Sequence, residues 1–320
     1  MTDAPSIPSQ LPWHLPQWRI VSEAFVAGRL SHALLLAGVA GVGKRSFARR
    51  IAAAVLCARA DGEVCGICRS CRQFSGGAHP GYTVLRRDED RRDIAIDAVR
   101  ELCSTLAMTS HDGRAKVAFI DPVDALNRNG ANALLKTLEE PSSGSLLLLL
   151  SERPLALPAT LRSRCQLLRF GLPQPDQARD WLAIQSPQTS VEERESALNL
   201  SRGAPLRAAG LLVDGKALES FKQWLMLMGE LGDGRAEPLQ VAAVVQREQA
   251  PMFLQWLAGW VLDQLRNDFA GSRAQALARF GEAVSHASRQ LQGNANPLLT
   301  LESLLIGWSA TLARARHDDY

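Results

Sequence analysis

The residues from Gly38 to Lys44 fit the phosphate-binding pattern G-x-x-x-x-G-K. Glycines at Gly38, Gly41 and Gly43 allow the backbone amides of such a loop to curl around a phosphate, and Lys44 can reach the outer phosphates of a nucleotide. The pattern follows the apolar run His32–Gly38 and precedes a helical pattern, which is the strand-to-helix context that the loop requires. The sequence therefore predicts a nucleotide-binding loop here rather than an ordinary glycine turn.

The position after Lys44 does not carry the side chain that nucleotide hydrolysis needs. A serine or threonine hydroxyl at this position binds Mg²⁺, whereas this chain has Arg45, a permanent cation that repels the metal. Ser46 lies one residue further along the helix, so its side chain is rotated by about 100° away from the metal. The loop thus favours phosphate binding without a complete metal site.

The acidic strand that would complete the metal site is altered as well. The run Lys116–Asp121 ends in an aspartate that could hold the Mg²⁺ shell, but Pro122 stands where a water-activating glutamate is expected. Asp124 could replace that glutamate, although capping a short helix before Ala125 is the better interpretation. Arg45 and Pro122 together predict a nucleotide-binding fold that has lost hydrolysis, and the residues leave open whether ATP and Mg²⁺ still bind.

Four thiols with the spacing Cys57-x7-Cys65-x2-Cys68-x2-Cys71 follow the predicted helix of the phosphate loop. Four thiolates at this spacing suit a tetrahedral, structural Zn²⁺ with no open position for a substrate. An iron–sulfur cluster is the competing interpretation, but the ferredoxin continuation x3-C-P is missing after Cys71. His79 is a further candidate ligand, although four cysteines already complete the shell. The sequence favours a zinc module at about residues 57–80.

These residues need a sheet and helices to position them, and residues 1–170 carry both patterns. Short apolar runs alternate with helical patterns such as Arg45–Cys57 and Ala98–Met108, which predicts β-α-β units and a mostly parallel sheet in a three-layer α/β domain. The predicted strands are His32–Gly38, Tyr82–Leu85, Lys116–Asp121, Ser145–Ser151 and Cys165–Phe170.

The rest of the chain carries helical patterns only. The stretch Gly171–Gln177 contains two prolines and no apolar period, so it predicts a linker. From Ala178 onward the apolar residues recur at helical spacing without a catalytic cluster. We therefore expect an α/β domain over residues 1–170, a small helical domain over 171–214 and a larger helical domain over 215–320.

Composition and charge limit the partners and the compartment that we expect for this chain. Its 320 residues carry a net charge of +3, too small for general binding of polyanions, so any nucleic-acid contact must be local. The leucine run Leu146–Leu150 is far shorter than the ~20 apolar residues of a membrane helix, so we expect no membrane span. The first ten residues lack the basic start and apolar stretch of an export signal, which predicts a cytoplasmic protein whose six cysteines stay reduced.

Five motifs occur along the chain in an order that is typical of one family. They are the loop Gly38–Lys44, the four-cysteine insert, the acidic strand, NALLKTLEEP at Asn132–Pro141 and TLRSRCQ at Thr160–Gln166. Together they resemble the bacterial clamp-loader subunits of the AAA+ class, over residues 1–170 by motif and over the rest by architecture only. The resemblance implies an AAA+ P-loop domain with a zinc insert, a helical lid and an all-α collar through which such subunits form a ring.

Within that family, Ser163-Arg164-Cys165 resembles the SRC motif, whose arginine enters the ATP site of the adjacent subunit. A guanidinium placed on a γ-phosphate stabilises the charge of the transition state. The gamma/tau members carry intact P-loop and acidic motifs and hydrolyse ATP, whereas this chain departs at Arg45 and Pro122 and keeps Arg164. That combination is similar to the delta-prime members of the DNA polymerase III clamp loader. A second-sensor arginine is out of register by one position around Gly203–Arg207.

The resemblance implies that the chain does not hydrolyse ATP, supplies Arg164 to a neighbouring ATPase subunit, and helps to load a sliding clamp onto primed DNA. The implied partners are the gamma/tau and delta subunits, the sliding clamp, the polymerase holoenzyme and primer–template DNA. Two alternatives stay open. The chain could be a gamma/tau-like ATPase in which Ser46 or Asp124 compensates, or a module whose zinc insert binds DNA through Arg69 and Arg72.

Overall fold

A parallel five-stranded sheet organises the first part of the chain in the computed structural model, which describes residues 7–88, 91, 93–108, 115–267, 272–293 and 295–318. The strands are β1 (Ala33–Gly38), β2 (Tyr82–Arg86), β3 (Lys116–Asp121), β4 (Ser145–Ser151) and β5 (Gln166–Phe170), in the order β2-β3-β4-β1-β5. Every neighbouring pair is parallel, which confirms the predicted sheet. Because the strands run in one direction, the loops that follow them meet at one edge of the sheet, where ligands of such folds bind.

Helices account for most of the other described residues. In chain order they are α1 (Leu15–Val26), α2 (Lys44–Leu56), α3 (Arg69–Ser75), α4 (Ile96–Ala107), α5 (Arg128–Glu139), α6 (Ala159–Arg162), α7 (Pro175–Gln185), α8 (Val191–Leu200), α9 (Pro205–Val213), α10 (Gly215–Asp233), α11 (Pro238–Val244), α12 (Ala250–Asn267), α13 (Ser272–Gln292) and α14 (Pro297–Asp318). The predicted linker over Gly171–Gln177 is too long, because α7 already begins at Pro175, and proline is well accepted in the first turn of a helix.

Alternating side chains of the strands build a core on each face of the sheet. On one face, Leu34 and Leu36 of β1 pack in a cluster with Phe47 and other residues of α2. On the other face, Leu35 of β1 belongs to a cluster that includes Leu134 of α5. Strands with helices on both faces are apolar on both sides, which explains the unbroken leucine runs. The three-layer α/β arrangement is therefore confirmed.

The described chain divides into two compact units. The first contains the residues up to Pro187 together with Gly203–Ala208, and the second contains Gln188–Arg202 and the residues from Ala209 onward. The three-part division at residues 170 and 214 stays a prediction.

The second unit is all-helical in its described residues, and aromatic side chains dominate its core. Trp224 of α10 lies edge-on to Phe253 of α12 with 5.1 Å between ring centroids, and Phe280 of α13 stacks on Trp308 of α14 at 4.3 Å. These rings are almost fully buried, so they explain the concentration of tryptophan in this part of the sequence as packing. Over the described residues, we find no helix with both the length and the apolar character needed to span a bilayer.

Candidate phosphate loop, cysteine cluster and arginine

The predicted phosphate loop connects β1 to α2, as the motif requires. Gly41 and Gly43 have φ angles of +80° and +94°, which favour glycine, and Lys44 is the first residue of α2. A Cβ at Gly43 would lie 2.3 Å from Cδ1 of Leu11 and 2.8 Å from Cε1 of His14, both buried side chains. The structure thus brings Gly38, Gly41, Gly43 and Lys44 together in one loop.

Substitution of Gly43 tests this packed loop geometry. We expect Gly43→Ala to lower the free energy of unfolding by about 3 kcal/mol, because the left-handed backbone and the clash each cost 1–3 kcal/mol. Gly28→Ala is the matched control, since Gly28 also has a positive φ of +65° but has no atom within 4 Å of its added Cβ. Denaturant unfolding of both variants measures the difference. Equal losses in the two variants would contradict the close packing at Gly43.

The ammonium group of Lys44 is bound by the loop itself. Its Nζ donates to the carbonyl oxygens of Gly38 and Val39 at 2.7 and 2.8 Å. Burial lowers the pKa of Lys44, while the carboxylates of Glu152, Asp121 and Asp124 act in the opposite direction. The ammonium group therefore donates to two carbonyl groups of its own loop, and these compete with a phosphate for its N–H donors.

Arg45 stands where a metal-binding hydroxyl is expected, and Asp121 is the acidic residue that could hold the Mg²⁺ shell. The two side chains contact each other directly. Nε of Arg45 lies 2.5 Å from Oδ2 of Asp121, whose residue is only 6% exposed. The carboxylate that would hold the Mg²⁺ shell therefore has a guanidinium as its counter-ion. This pair joins residues 76 positions apart, and the sequence analysis identified each residue without predicting that they meet.

Asp124 does not cap a helix, so that interpretation is wrong. It lies inside a 3-10 turn, Val123–Ala125, and its side chain makes no capping bond there. Instead, Oδ1 accepts from the hydroxyl of Ser151 at 2.7 Å and Oδ2 accepts from the amide of Glu152 at 2.6 Å. Asp124 thus ties the loop after β3 to the end of β4, and both of its oxygens are engaged.

Trp13 and His14, two aromatic residues before α1, form hydrogen bonds to the phosphate loop. The sequence analysis did not identify them. The indole Nε1 of Trp13 donates to the carbonyl of Val42 at 2.9 Å, and Nε2 of His14 lies 2.8 Å from the same oxygen. Burial lowers the pKa of His14 to about 4, so its neutral ring donates from Nε2. The amide of Leu206 also donates to the loop, to the carbonyl of Gly41 at 3.0 Å. No motif signals these contacts, because they depend on long-range packing.

The four predicted cysteines converge at the end of α2. The sulfur atoms of Cys57, Cys65, Cys68 and Cys71 all lie within 4.8 Å of one another, and those of Cys65 and Cys71 are 3.9 Å apart. Metal–sulfur bonds of about 2.3 Å at the tetrahedral angle place the sulfurs about 3.8 Å apart, so the cluster could hold one metal ion. Backbone amides of Cys68 and Cys71 donate to Cys65 Sγ and Cys68 Sγ, both at 3.4 Å.

His79 is not part of that cluster; it forms a hydrogen-bonded chain beside it. The amide of Gly81 donates to Nδ1 of His79 at 3.0 Å, so Nε2 carries the proton and donates to Oγ of Ser70 at 2.6 Å. Ser70 in turn donates to the carbonyl of Leu56, the last residue of α2, at 2.5 Å. This chain of bonds attaches the cysteine module to the helix of the phosphate loop.

Arg164 lies apart from the phosphate loop. It precedes β5, whereas the phosphate loop follows the neighbouring parallel strand β1. The strand register between Gln166 and Phe170 therefore places the two at opposite edges of the sheet, about 13 Å or more apart along the strands. The arginine side chain is 35% exposed and forms an ion pair of 2.6 Å with Glu139, a partner that the sequence analysis missed.

Comparisons with known proteins agree on one family. The family model described as DNA polymerase III, delta subunit matches residues 14–174. The DNA polymerase III subunit delta' of Pseudomonas aeruginosa is 34% identical over 93% of this chain and 97% of its own length. The subunit of the same name from Escherichia coli is 34% identical over 80% of this chain and 76% of its own length.

A solved structure supports the fold independently. The DNA polymerase III gamma subunit-related protein of Thermotoga maritima aligns with a TM-score of 0.51 over 93% of this chain and 99% of its own, at 15% identity. At that identity the likeness concerns the fold alone, and it confirms the predicted class of a P-loop α/β domain followed by helices. On the strength of the family match and the curated relatives, the chain belongs to the family of DNA polymerase III delta-prime subunits.

Proposed function

We propose that the chain serves as a clamp-loader subunit that does not hydrolyse ATP and supplies Arg164 to the ATP site of a neighbouring gamma/tau-type subunit. In this role it helps to load a sliding clamp onto primer–template DNA, in a complex with gamma/tau and delta subunits and the polymerase holoenzyme. The curated relatives support the subunit assignment. The observation that carries the division of labour is the Arg45–Asp121 pair in the chain's own site.

The chain's own site lacks both functions that hydrolysis requires. A metal ion would have to displace the guanidinium of Arg45 from Asp121 or share the carboxylate with it, and two cations repel each other at that close range. A general base is missing too, since Pro122 has no proton acceptor in its side chain and both oxygens of Asp124 accept hydrogen bonds from β4 and the residue after it.

The position of Arg164 favours action on another subunit. Its edge of the sheet is opposite to the edge that carries Gly38–Lys44, so the guanidinium cannot reach a phosphate held by its own loop. A forked, permanently charged group that remains one-third exposed suits a γ-phosphate brought by a neighbour.

We further propose that Cys57, Cys65, Cys68 and Cys71 hold a structural zinc ion. The sulfur separations suit a single ion bound by four thiolates, and four protein ligands leave no position for a substrate. Zinc bound there would offset half of the charge of the four thiolates and join the end of α2 to α3, and the chemistry of hydrolysis would not involve it.

An assay on the isolated chain distinguishes the proposed function from the gamma/tau-like alternative, in which the chain is an ATPase. We expect no Mg²⁺-dependent release of phosphate from ATP above that of a Lys44→Ala variant, because the metal site and the base are both lost. The measurement is a colorimetric phosphate assay on a homogeneous preparation, with an intact gamma/tau subunit as the positive control. Phosphate release that Lys44→Ala abolishes would refute the proposal that this chain is not an ATPase.

A further inference from the structure

Glu139 and Thr160 hold the head of Arg164 within its own chain. Nη2 of Arg164 lies 2.6 Å from Oε1 of Glu139, and Nη1 donates to the backbone carbonyl of Thr160 at 2.8 Å. Glu139 is the last residue of α5 and Thr160 belongs to α6, so two separate elements position the guanidinium.

The location of Glu139 is unfavourable for the helix that carries it. A helix ends with unsatisfied carbonyl groups and a partial negative charge, so an acidic side chain in the last turn is repelled there. Helix stability therefore does not account for a carboxylate at this position. The close contact with a cation does account for it, because Arg164 compensates the charge of the side chain.

Two contacts are enough to orient an arginine head. The guanidinium is planar and rigid, and its five N–H donors have a fixed arrangement. Once Nη1 points at Thr160 and Nη2 at Glu139, the plane and the direction of the remaining donors are determined. The side chain still exposes about a third of its surface, at 35%, so those donors can meet an incoming anion.

We propose that Glu139 is a positioning residue, which orients Arg164 for the phosphate of a nucleotide bound by the neighbouring subunit. This inference rests on the proposed function, and it adds a residue of this chain that never touches the nucleotide. Pre-organised donors need no reorganisation during the reaction, whereas a freely rotating arginine must be ordered at each turnover.

The test uses the complex reconstituted with its ATPase subunits, and it compares Glu139→Ala, Glu139→Gln and Arg164→Ala. We expect the decrease in turnover in Glu139→Ala to be about half or more of the decrease in Arg164→Ala. The KM for ATP should be unchanged, because only the orientation of Arg164 is affected. Glu139→Gln keeps an oxygen that accepts from Arg164, so it should retain most of the wild-type rate. Glu140→Ala removes a charge from the neighbouring exposed residue and should leave turnover unchanged.

A double variant separates positioning from a structural role. If Glu139 acts through Arg164, then Glu139→Ala lowers turnover no further when Arg164→Ala is already present. Wild-type turnover of Glu139→Ala, or faster turnover of both Glu139 variants, would overturn the inference while leaving the proposed function intact. Additive losses in the double variant would overturn it as well. If Arg164→Ala itself keeps full turnover, the proposed function fails and this inference fails with it.

Discussion

Arg164→Ala in the reconstituted complex is expected to abolish ATP turnover at the neighbouring site that Arg164 completes. Arginine fingers contribute about 10³- to 10⁵-fold to such rates, so that site's share of the DNA-stimulated turnover should vanish. The loss arises in kcat, because the guanidinium acts on charge that develops in the transition state. Arg164→Lys should recover little of it, since an ammonium group lacks the planar fork that contacts two phosphate oxygens.

The control for this experiment is an exposed arginine that also forms an ion pair and has no proposed role. Arg100 on α4 is exposed and pairs with Asp97 at 3.2 Å, so Arg100→Ala should leave turnover unchanged. Arg164→Ala should keep its fold, because exposed ion pairs such as Arg164–Glu139 contribute only about 0.2–1 kcal/mol to stability. A loss of turnover therefore does not arise from unfolding. Unchanged turnover with Arg164→Ala in an intact complex would count decisively against a role in trans.

Loss of the proposed zinc ion is the second change with a large expected effect. Structural zinc contributes roughly 10–16 kcal/mol of apparent binding free energy in small zinc domains, so its removal should unfold the segment around residues 57–80. Cys71→Ser should lower the bound zinc from about one equivalent to near none, because the remaining three sulfurs leave one tetrahedral position without a protein ligand. Elemental analysis measures the metal, and limited proteolysis should locate new cleavage within the segment.

Cys103→Ser is the matched control for the metal prediction. Cys103 lies outside the cluster and its Sγ contacts the carbonyl of Ala133 at 3.7 Å, so this variant should keep its zinc. A preparation that contains iron and absorbs visible light would contradict the zinc assignment in favour of an iron–sulfur cluster. A metal-free chain with the stability of the wild type would contradict any structural metal.

The altered nucleotide site shows which features a local sequence pattern can predict and which it cannot. The P-loop spacing predicted a strand, a turn and a helix correctly, because these depend on neighbouring residues and on backbone freedom at Gly41 and Gly43. The mismatch at Arg45 and Pro122 was also visible without a structure. What Arg45 does instead depends on Asp121, and that contact depends on the packing of α2 against β3, a strand that β4 separates from β1 in the sheet.

The hydrogen-bond partners of Asp124 and His79 could not be predicted from local sequence patterns. Both were assigned local roles, one as a helix cap and one as a spare ligand, whereas each bonds to a partner set by the surrounding structure. Asp124 accepts from Ser151 at the end of β4, and His79 donates to Ser70 in α3. A polar side chain takes the partner that burial brings to it, and spacing along the chain does not specify which one that is.

The amino-acid sequence by itself determined the phosphate loop, its missing metal and base ligands, and the four thiols of the cysteine cluster, because each of these lies within a short stretch whose geometry is set by nearby residues. Only the tertiary structure decided that Arg45 neutralises Asp121, that Arg164 lies at the edge of the sheet opposite to the loop, and that Glu139 holds its guanidinium. Those contacts follow from strand order and from helices that return across the sheet, and residues distant in sequence meet only after that packing has formed.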